Sequence, residues 1–322
     1  MMQIINAETL EKLLDFPALI EALRDMFRSG CESPTRHHHT VNVPGGNDGT
    51  LLIMPAWQAG SMMGVKTVTV FGDNAKRGLP SVLGQYYLMD ASSGEPQALI
   101  EGTVLTRWRT AAASALASDY LSRQNSERLL MVGSGSLAPH LIRAHAAMRP
   151  LRSVRIWSRN MAHAEALAAE LSVPGIKLTT TTDLEASAAW ADIISCATLS
   201  EAPLIHGDWL MPGVHLDLVG AFRADMRETD DQAVARARIF VDTEGGALSE
   251  AGDILQAISS GAISKADIQA DLSALTSGNA EGRGQNTEIT LFKSVGAALE
   301  DLAAAKLAYQ RHSAKLQDSP SQ

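Results

Sequence analysis

The stretch that most constrains this chain runs from Arg128 to Asn160. It reads Arg128-Leu129-Leu130-Met131-Val132, then Gly133-Ser134-Gly135-Ser136-Leu137-Ala138, then a run suited to a helix as far as Met148, then Val154-Arg155-Ile156-Trp157. Strand, glycine turn, helix and strand, in that order, form the context that a G-x-G-x-x-A dinucleotide fingerprint requires. Gly133 permits the tight turn, Gly135 lets the backbone approach a pyrophosphate, and Ala138 replaces the third glycine and keeps helix and strand close. The helix N-terminus offers free N–H groups and partial positive charge to the phosphates. The alternative is a glycine turn with a purely structural purpose, but both flanks favour the nucleotide.

The end of the second strand selects the dinucleotide. A carboxylate there would bond the ribose 2′-hydroxyl of NAD. The chain has Ser158-Arg159-Asn160 instead. Arg159 carries a planar, permanently charged fork suited to a 2′-phosphate, unless it is simply a solvated surface arginine. NADPH is therefore the expected cofactor, with NADH as the alternative.

With 322 residues, the chain is long enough for two domains. Its formal net charge of -9 gives no reason to expect nucleic acid or an anionic membrane as partner. Two cysteines, Cys31 and Cys196, make neither a disulfide framework nor a zinc pattern, which fits a reducing cytoplasm. Residues 1–6 lack the basic and apolar regions of a signal peptide, and no apolar run is long enough to span a bilayer. A cytoplasmic location is expected.

The opening 30 residues suggest a short strand and two helices, the second capped by Asp15 with Pro17 in its first turn. His37-His38-His39 invites a metal reading. In an extended segment only His37 and His39 share a face, and no carboxylate or cysteine lies nearby in sequence, so no metal site is expected. Leu51–Pro55 and Met63–Val70 read as buried strands. In the second, Gly64, Lys66, Val68 and Val70 share a face, an expensive place for an ammonium unless something anionic meets it or the side chain snorkels to water. Gln85–Met89 and Gln97–Ile100 flank a turn, forming a hairpin.

Thr106-Arg107-Trp108-Arg109-Thr110 then leads into an alanine-rich helix ending near Leu121. If Thr106 is its N-cap, Arg109 stands third in the helix, where a cation opposes the dipole. An anionic ligand group would offset that misfit; a solvated arginine is the alternative. Further strand candidates are Asp192–Ala197, His215–Val219 and Arg238–Asp242, with helical runs between them, which predicts a doubly wound parallel sheet. Ligands sit at the carboxyl ends of such strands, here Ala197-Thr198-Leu199 and Val219-Gly220-Ala221-Phe222. A last long helix is expected over Glu288–Tyr309, and a polar, disordered tail from Ser313 to Gln322.

These residues together resemble the ornithine cyclodeaminase/mu-crystallin family over nearly the whole chain. The resemblance is carried by Gly64-Val65-Lys66-Thr67-Val68, Gly78-Leu79-Pro80-Ser81, Leu105-Thr106-Arg107-Trp108-Arg109-Thr110-Ala111-Ala112-Ala113-Ser114, Val132–Ala138 and Thr290-Leu291-Phe292-Lys293-Ser294-Val295-Gly296. It implies an α/β fold in which a doubly wound Rossmann domain, residues 119–292, is inserted into a smaller α+β substrate and dimerisation domain, residues 1–118 plus 293–322. It implies a homodimer, and a pocket where Arg36, Lys66 and Arg109 clamp the carboxylate of an amino or imino acid. It also implies cofactor contacts from Ser81, Arg109, Thr110, Gly133, Ser134, Gly135, Ser136, Leu137, Ser158, Arg159, Asn160, Ala197, Thr198, Val219, Gly220 and Lys293.

Cyclodeaminases of this family carry aspartate in a Gly-(Gly/Ala)-Asp motif after the fifth Rossmann strand. Here the residues are Gly220-Ala221-Phe222, and a phenyl ring neither accepts a proton nor orients a nucleophile. The Gly-Ala-x-Arg-x-Asp-x-Arg-Glu run is closer to the ketimine reductase branch. Asp225 lies three positions beyond Phe222 and is expected to pair with Arg223 or Arg227. The implied activity is NAD(P)H-dependent reduction of a cyclic imino acid, with Lys66 and Arg109 as catalytic residues. The alternatives are a deaminating enzyme of the same family and a non-catalytic ligand-binding protein.

Overall fold

The computed structural model of the protein describes residues 2–318. The chain forms two compact units, Met1–Arg109 with Ala297–Gln322, and Thr110–Gly296. The first holds β1 (Gln3–Ile5), α1 (Ala7–Leu13), α2 (Phe16–Ser29), β2 (His37–Val41), β3 (Gly49–Trp57), β4 (Met62–Val70), β5 (Val82–Asp90), β6 (Pro96–Glu101) and the start of α3 (Gly102–Leu121). The second continues with β7 (Arg128–Val132), α4 (Ala138–Met148), β8 (Ser153–Trp157), α5 (Met161–Glu170), β9 (Lys177–Thr180), α6 (Leu184–Trp190) and β10 (Ile193–Cys196). There follow β11 (His215–Leu218), α7 (Asp231–Arg236), β12 (Arg238–Val241), α8 (Glu244–Glu250), α9 (Gly252–Ser259), β13 (Ile268–Asp271), α10 (Leu272–Thr276) and β14 (Thr290–Lys293). The chain then returns to the first unit as α11 (Ala298–Asp318). The divisions thus fall after Arg109 and Gly296, where sequence suggests 118 and 292. Helix α3 is continuous across the first division, so its periodicity carries no boundary signal.

In the first unit the strands run in the order β1-β6-β5-β4-β3-β2, with β1 parallel to β6 and the other pairs antiparallel. Helix α11 packs against α2 and against β3, β4 and β5. Asp15 caps α2 by accepting from the Ala18 N–H at 2.9 Å, and Pro17 occupies the first turn. Phe16, Leu19, Ile20, Leu23, Met26 and Phe27 bury one stripe of that helix. Each such side chain contributes roughly 1.5–3 kcal/mol by leaving water. The histidine run forms edge strand β2 with all three side chains exposed; His37 and His39 share a face, their ring centroids 6.3 Å apart.

The second unit is an all-parallel sheet in the order β13-β12-β14-β11-β10-β7-β8-β9. Its central strands are buried almost throughout, as strands covered on both faces are, and the polar residues among them pair inside the protein, Asp217 with Ser195 Oγ and His145 Nε2. Two expectations for the C-terminal region are corrected. Residues 288–297 are not helical: Thr290–Lys293 form β14, between β12 and β11, and α11 begins only at Ala298. A segment as short as Thr290–Lys293 shows no period and suits strand and helix equally, and Gly296, at φ 82, ends the strand segment before the helix. Ser313 to Asp318 continue α11 instead of forming a disordered tail; residues 319–322 lie outside the described residues.

Candidate active site

In the first unit, β4 brings Lys66 beneath α11. Its cross-strand neighbours are Met54 on β3 and Tyr86 on β5. Gly64 leaves room for the Tyr86 ring, since a Cβ there would lie 2.3 Å from Tyr86 Oη. Lys66 is 2% exposed, so the period-of-two argument for a buried ammonium holds. The anion that meets it is internal: Lys66 Nζ lies 2.7 Å from Asp301 Oδ2 on α11. Thr106 Oγ1 is 3.5 Å from the same nitrogen.

Arg109 is 5% exposed and is held from the same helix, with Nη1 donating to Glu300 Oε2 at 2.6 Å and Nε to Asp301 Oδ1 at 3.1 Å. Its expected place as the third residue of a helix capped by Thr106 is corrected. Helix α3 starts at Gly102, directly after β6. Glu101 caps it, accepting from the Thr103 and Val104 N–H groups at 3.0 and 2.7 Å, while the Thr106 hydroxyl bonds the Gly102 carbonyl. Arg109 is therefore an interior residue, and Glu300 and Asp301 balance its charge without any ligand.

Arg36, half-buried before β2, is close enough to weigh on Lys66. Burial drives the Lys66 ammonium down to about 8, Asp301 opposes that drop, and Arg109 and Arg36 add to it. Lys66 and Arg109 thus share Asp301, and Glu300 meets Arg109 as well, with Arg36 near enough to be felt at Lys66. Tyr86 Oη, fully buried beside it, has no hydrogen-bond partner among the described residues. Glu300, Asp301 and Tyr86 were not singled out from sequence. Adjacent acids inside the apolar run from Ala297 to Ala305 were the available signal, because buried carboxylates require partners.

In the second unit the glycine turn has the expected form. Gly133 adopts φ 113, and a Cβ on it would lie 2.6 Å from the Ala197 carbonyl oxygen. A Cβ on Gly135 would meet nothing within 4 Å, so the space above this residue is open for a ligand's approach. No side chain caps the α4 N-terminus at Leu137. An open cradle over an uncapped helix end fits a dinucleotide pyrophosphate. Ser134 Oγ donates to Ser158 Oγ at 2.9 Å, joining the turn to the end of β8. Arg159 is exposed beyond that strand, whereas the Asn160 side chain accepts from the Ala162 N–H at 3.1 Å and caps α5.

Thr198 and Gly220, after β10 and β11, are tied together by Glu228. Its Oε1 accepts from Thr198 N and Oγ1 at 2.7 and 2.8 Å, and its Oε2 from Gly220 N at 2.8 Å. Val219 is buried beside Gly220, and Ala197 is half-buried against Gly133. Lys293, fully buried on β14, faces Asp253 Oδ2 at 3.2 Å. Burial pushes the Glu228 carboxyl up to about 7, with Lys293 pulling it down and Asp253 pushing it further up. Glu228 and Asp253 were also missed from sequence, since a single acid in a loop carries no pattern. Phe222 is 44% exposed, and Asp225 pairs with Arg223 at 3.0 Å, as expected for a loop carboxylate.

The structure therefore gathers Arg36, Lys66 and Arg109 in one unit, and Gly133 to Leu137, Ser158 to Asn160, Ala197, Thr198, Val219, Gly220 and Lys293 along the carboxyl edge of the sheet in the other. Ser81 lies just before β5 in the first unit, and Thr110 is buried in α3 in the second. Among the described residues no helix is long and apolar enough to cross a membrane.

The model of the ornithine cyclodeaminase/mu-crystallin family matches residues 2–316. Protein SAR DEFICIENT 4 of Arabidopsis thaliana is 42% identical, covering 96% of this chain and 97% of its own. The Δ1-pyrroline-2-carboxylate reductase of Colwellia psychrerythraea is 39% identical, covering 94% of this chain and 97% of its own. The Δ1-pyrroline-2-carboxylate reductase of Thermococcus litoralis, solved in complex with NADH and L-proline, superposes with a TM-score of 0.90 at 34% identity over 98% of both chains.

Proposed function

Because the chain belongs to the ornithine cyclodeaminase/mu-crystallin family, we propose that it is an oxidoreductase reducing cyclic ketimine carboxylates with NADPH. The reaction converts Δ1-pyrroline-2-carboxylate to L-proline, and Δ1-piperideine-2-carboxylate to L-pipecolate. The observation that carries this reading is the buried pair Lys66 and Arg109, held by Asp301 and Glu300 as two fixed cationic donors that suit a substrate carboxylate. The reductase likenesses support the reaction class.

Arg36 and Arg109 hold the carboxylate and fix the ring, so that the imine carbon is presented in one orientation. The bound nicotinamide supplies the hydride that this carbon accepts. Lys66 contributes to the clamp and gives the proton that the ring nitrogen requires; its acidity, near 8, suits a donor at neutral pH. Water need not be activated, and Phe222, in place of the cyclodeaminase aspartate, cannot activate it. The open turn over Gly135 and the uncapped α4 support pyrophosphate binding, and exposed Arg159 supports preference for the 2′-phosphate. A homodimer in the cytoplasm is part of this reading. The exposed apolar side chains of Leu79, Val82 and Leu83 on the first unit support the dimer.

The test is NADPH oxidation, followed at the nicotinamide absorbance, with fresh Δ1-pyrroline-2-carboxylate, beside an ammonia assay with L-ornithine and NAD. Oxidation with L-proline as product is expected. Ammonia from ornithine without imine reduction would overturn the reading.

A further inference from the structure

We propose that Asp301 is a positioning residue for imine reduction, its single carboxylate fixing the proton donor Lys66 and the carboxylate-binding Arg109 relative to each other. The inference rests on the functional reading above and deepens it. The geometry is direct. One oxygen, Oδ2, lies 2.7 Å from Lys66 Nζ, while the other, Oδ1, accepts from Arg109 Nε at 3.1 Å. The two cations come from different elements, β4 and α3, and the bridging carboxylate comes from a third, α11. Asp301 itself is fully buried, so water does not screen these contacts.

The groups facing Lys66 are Asp301 from α11, Arg109 and Thr106 from α3, Arg36 from the segment before β2, and Tyr86 beside it on β5. Glu300 of α11 meets Arg109. Asp301 is thus the one carboxylate touching Lys66 among the described residues. In the reaction the imine carbon gains a hydride and the C=N double bond becomes a single bond. The ring nitrogen takes a proton from the Lys66 ammonium, and the resulting neutral amine is reprotonated from water before the next turnover. Asp301 transfers nothing. It keeps the ammonium charged against the influence of Arg109 and Arg36 and aligned with the arginine that holds the substrate.

The test compares pH profiles of kcat/KM for imine reduction in the wild type, Asp301→Asn and Asp301→Glu, with NADPH affinity measured by nicotinamide fluorescence. Removing the negative charge at constant shape should lower the alkaline limb of Asp301→Asn by about one pH unit or more, since an adjacent opposite charge shifts a pKa by that much. NADPH affinity should stay within about twofold of wild type, because the turn lies in the other unit. Asp301→Glu keeps the charge but changes the reach. Its alkaline limb should stay near wild type while the substrate KM rises about tenfold, and it carries the test if the asparagine variant does not fold. A wild-type protein without imine reductase activity overturns the functional reading. An active wild type overturns this inference alone if Asp301→Asn keeps its alkaline limb, or if Asp301→Glu leaves KM unchanged.

Discussion

Replacing Gly135 by alanine separates the dinucleotide turn from the stability of the fold. A Cβ at this position meets no atom within 4 Å, and the residue does not adopt the left-handed φ that would strain alanine. Alanine also narrows the unfolded ensemble, which stabilises by about 0.4–1 kcal/mol where the native backbone is compatible. The melting temperature of Gly135→Ala should therefore be unchanged or higher by roughly 1–4 °C. The added methyl, however, fills the space through which a pyrophosphate reaches the backbone. Losing even about 1.4 kcal/mol of that contact weakens binding tenfold, so NADPH should bind at least about tenfold more weakly by fluorescence titration. Gly133→Ala is the contrasting control. It combines φ 113 with a Cβ placed 2.6 Å from the Ala197 carbonyl, and should lose several degrees of stability as well as affinity. A Gly135→Ala protein that binds NADPH as wild type does would refute the assignment of this turn to the pyrophosphate.

Arg159→Ala should raise the KM for NADPH much more than that for NADH; equal effects would remove the 2′-phosphate role. Lys293→Met leaves Glu228 and Asp253 buried without their cation. Chemical denaturation should show a loss of about 3–5 kcal/mol, and a loss under about 1 kcal/mol would contradict the pairing. His215 is fully buried against Thr290, and burial lowers its pKa to about 3. The folded protein keeps it neutral while the unfolded chain protonates below about pH 6.5, so its stabilising contribution is complete above pH 6.5 and is lost as pH falls towards 3. The wild type should lose up to about 1.4 kcal/mol more per pH unit over that window than His215→Gln, and parallel stability curves would show that the histidine is not the group responsible.

Local signals carried most of the second unit. The turn from Gly133 to Ala138 is recognisable because glycine placement and strand–helix order lie within one short stretch, and α4 spans the expected residues. The period of two was enough to mark Lys66 as buried and costly, but not to identify its partner. Asp301 lies on a helix distant in sequence and meets Lys66 only through the tertiary fold. The same distance hid Glu300 from the account of Arg109, 191 positions away. The start of α3 was misplaced because Glu101, an uncommon cap at a strand's end, does the work assigned to Thr106. Strand β14 was missed because four residues, Thr290–Lys293, are too few to show a period.

The return of the chain to its first unit has a consequence for the order of events during synthesis. Ribosomes release Lys66 and Arg109 long before α11, so neither cation has its acidic partners while the middle of the protein emerges. The second sheet likewise lacks β14, an interior strand, until residue 293 has been made. The first unit therefore cannot reach its final state in the usual N-to-C sequence, whereas the second, contiguous from Thr110 to Gly296, is complete only when its last strand has been made. A nascent chain halted before Ala297 would expose the apolar surface that α11 covers and leave its buried lysine and arginine uncompensated. Early termination should therefore yield protein destined for chaperones and proteases, and not a partly active fragment.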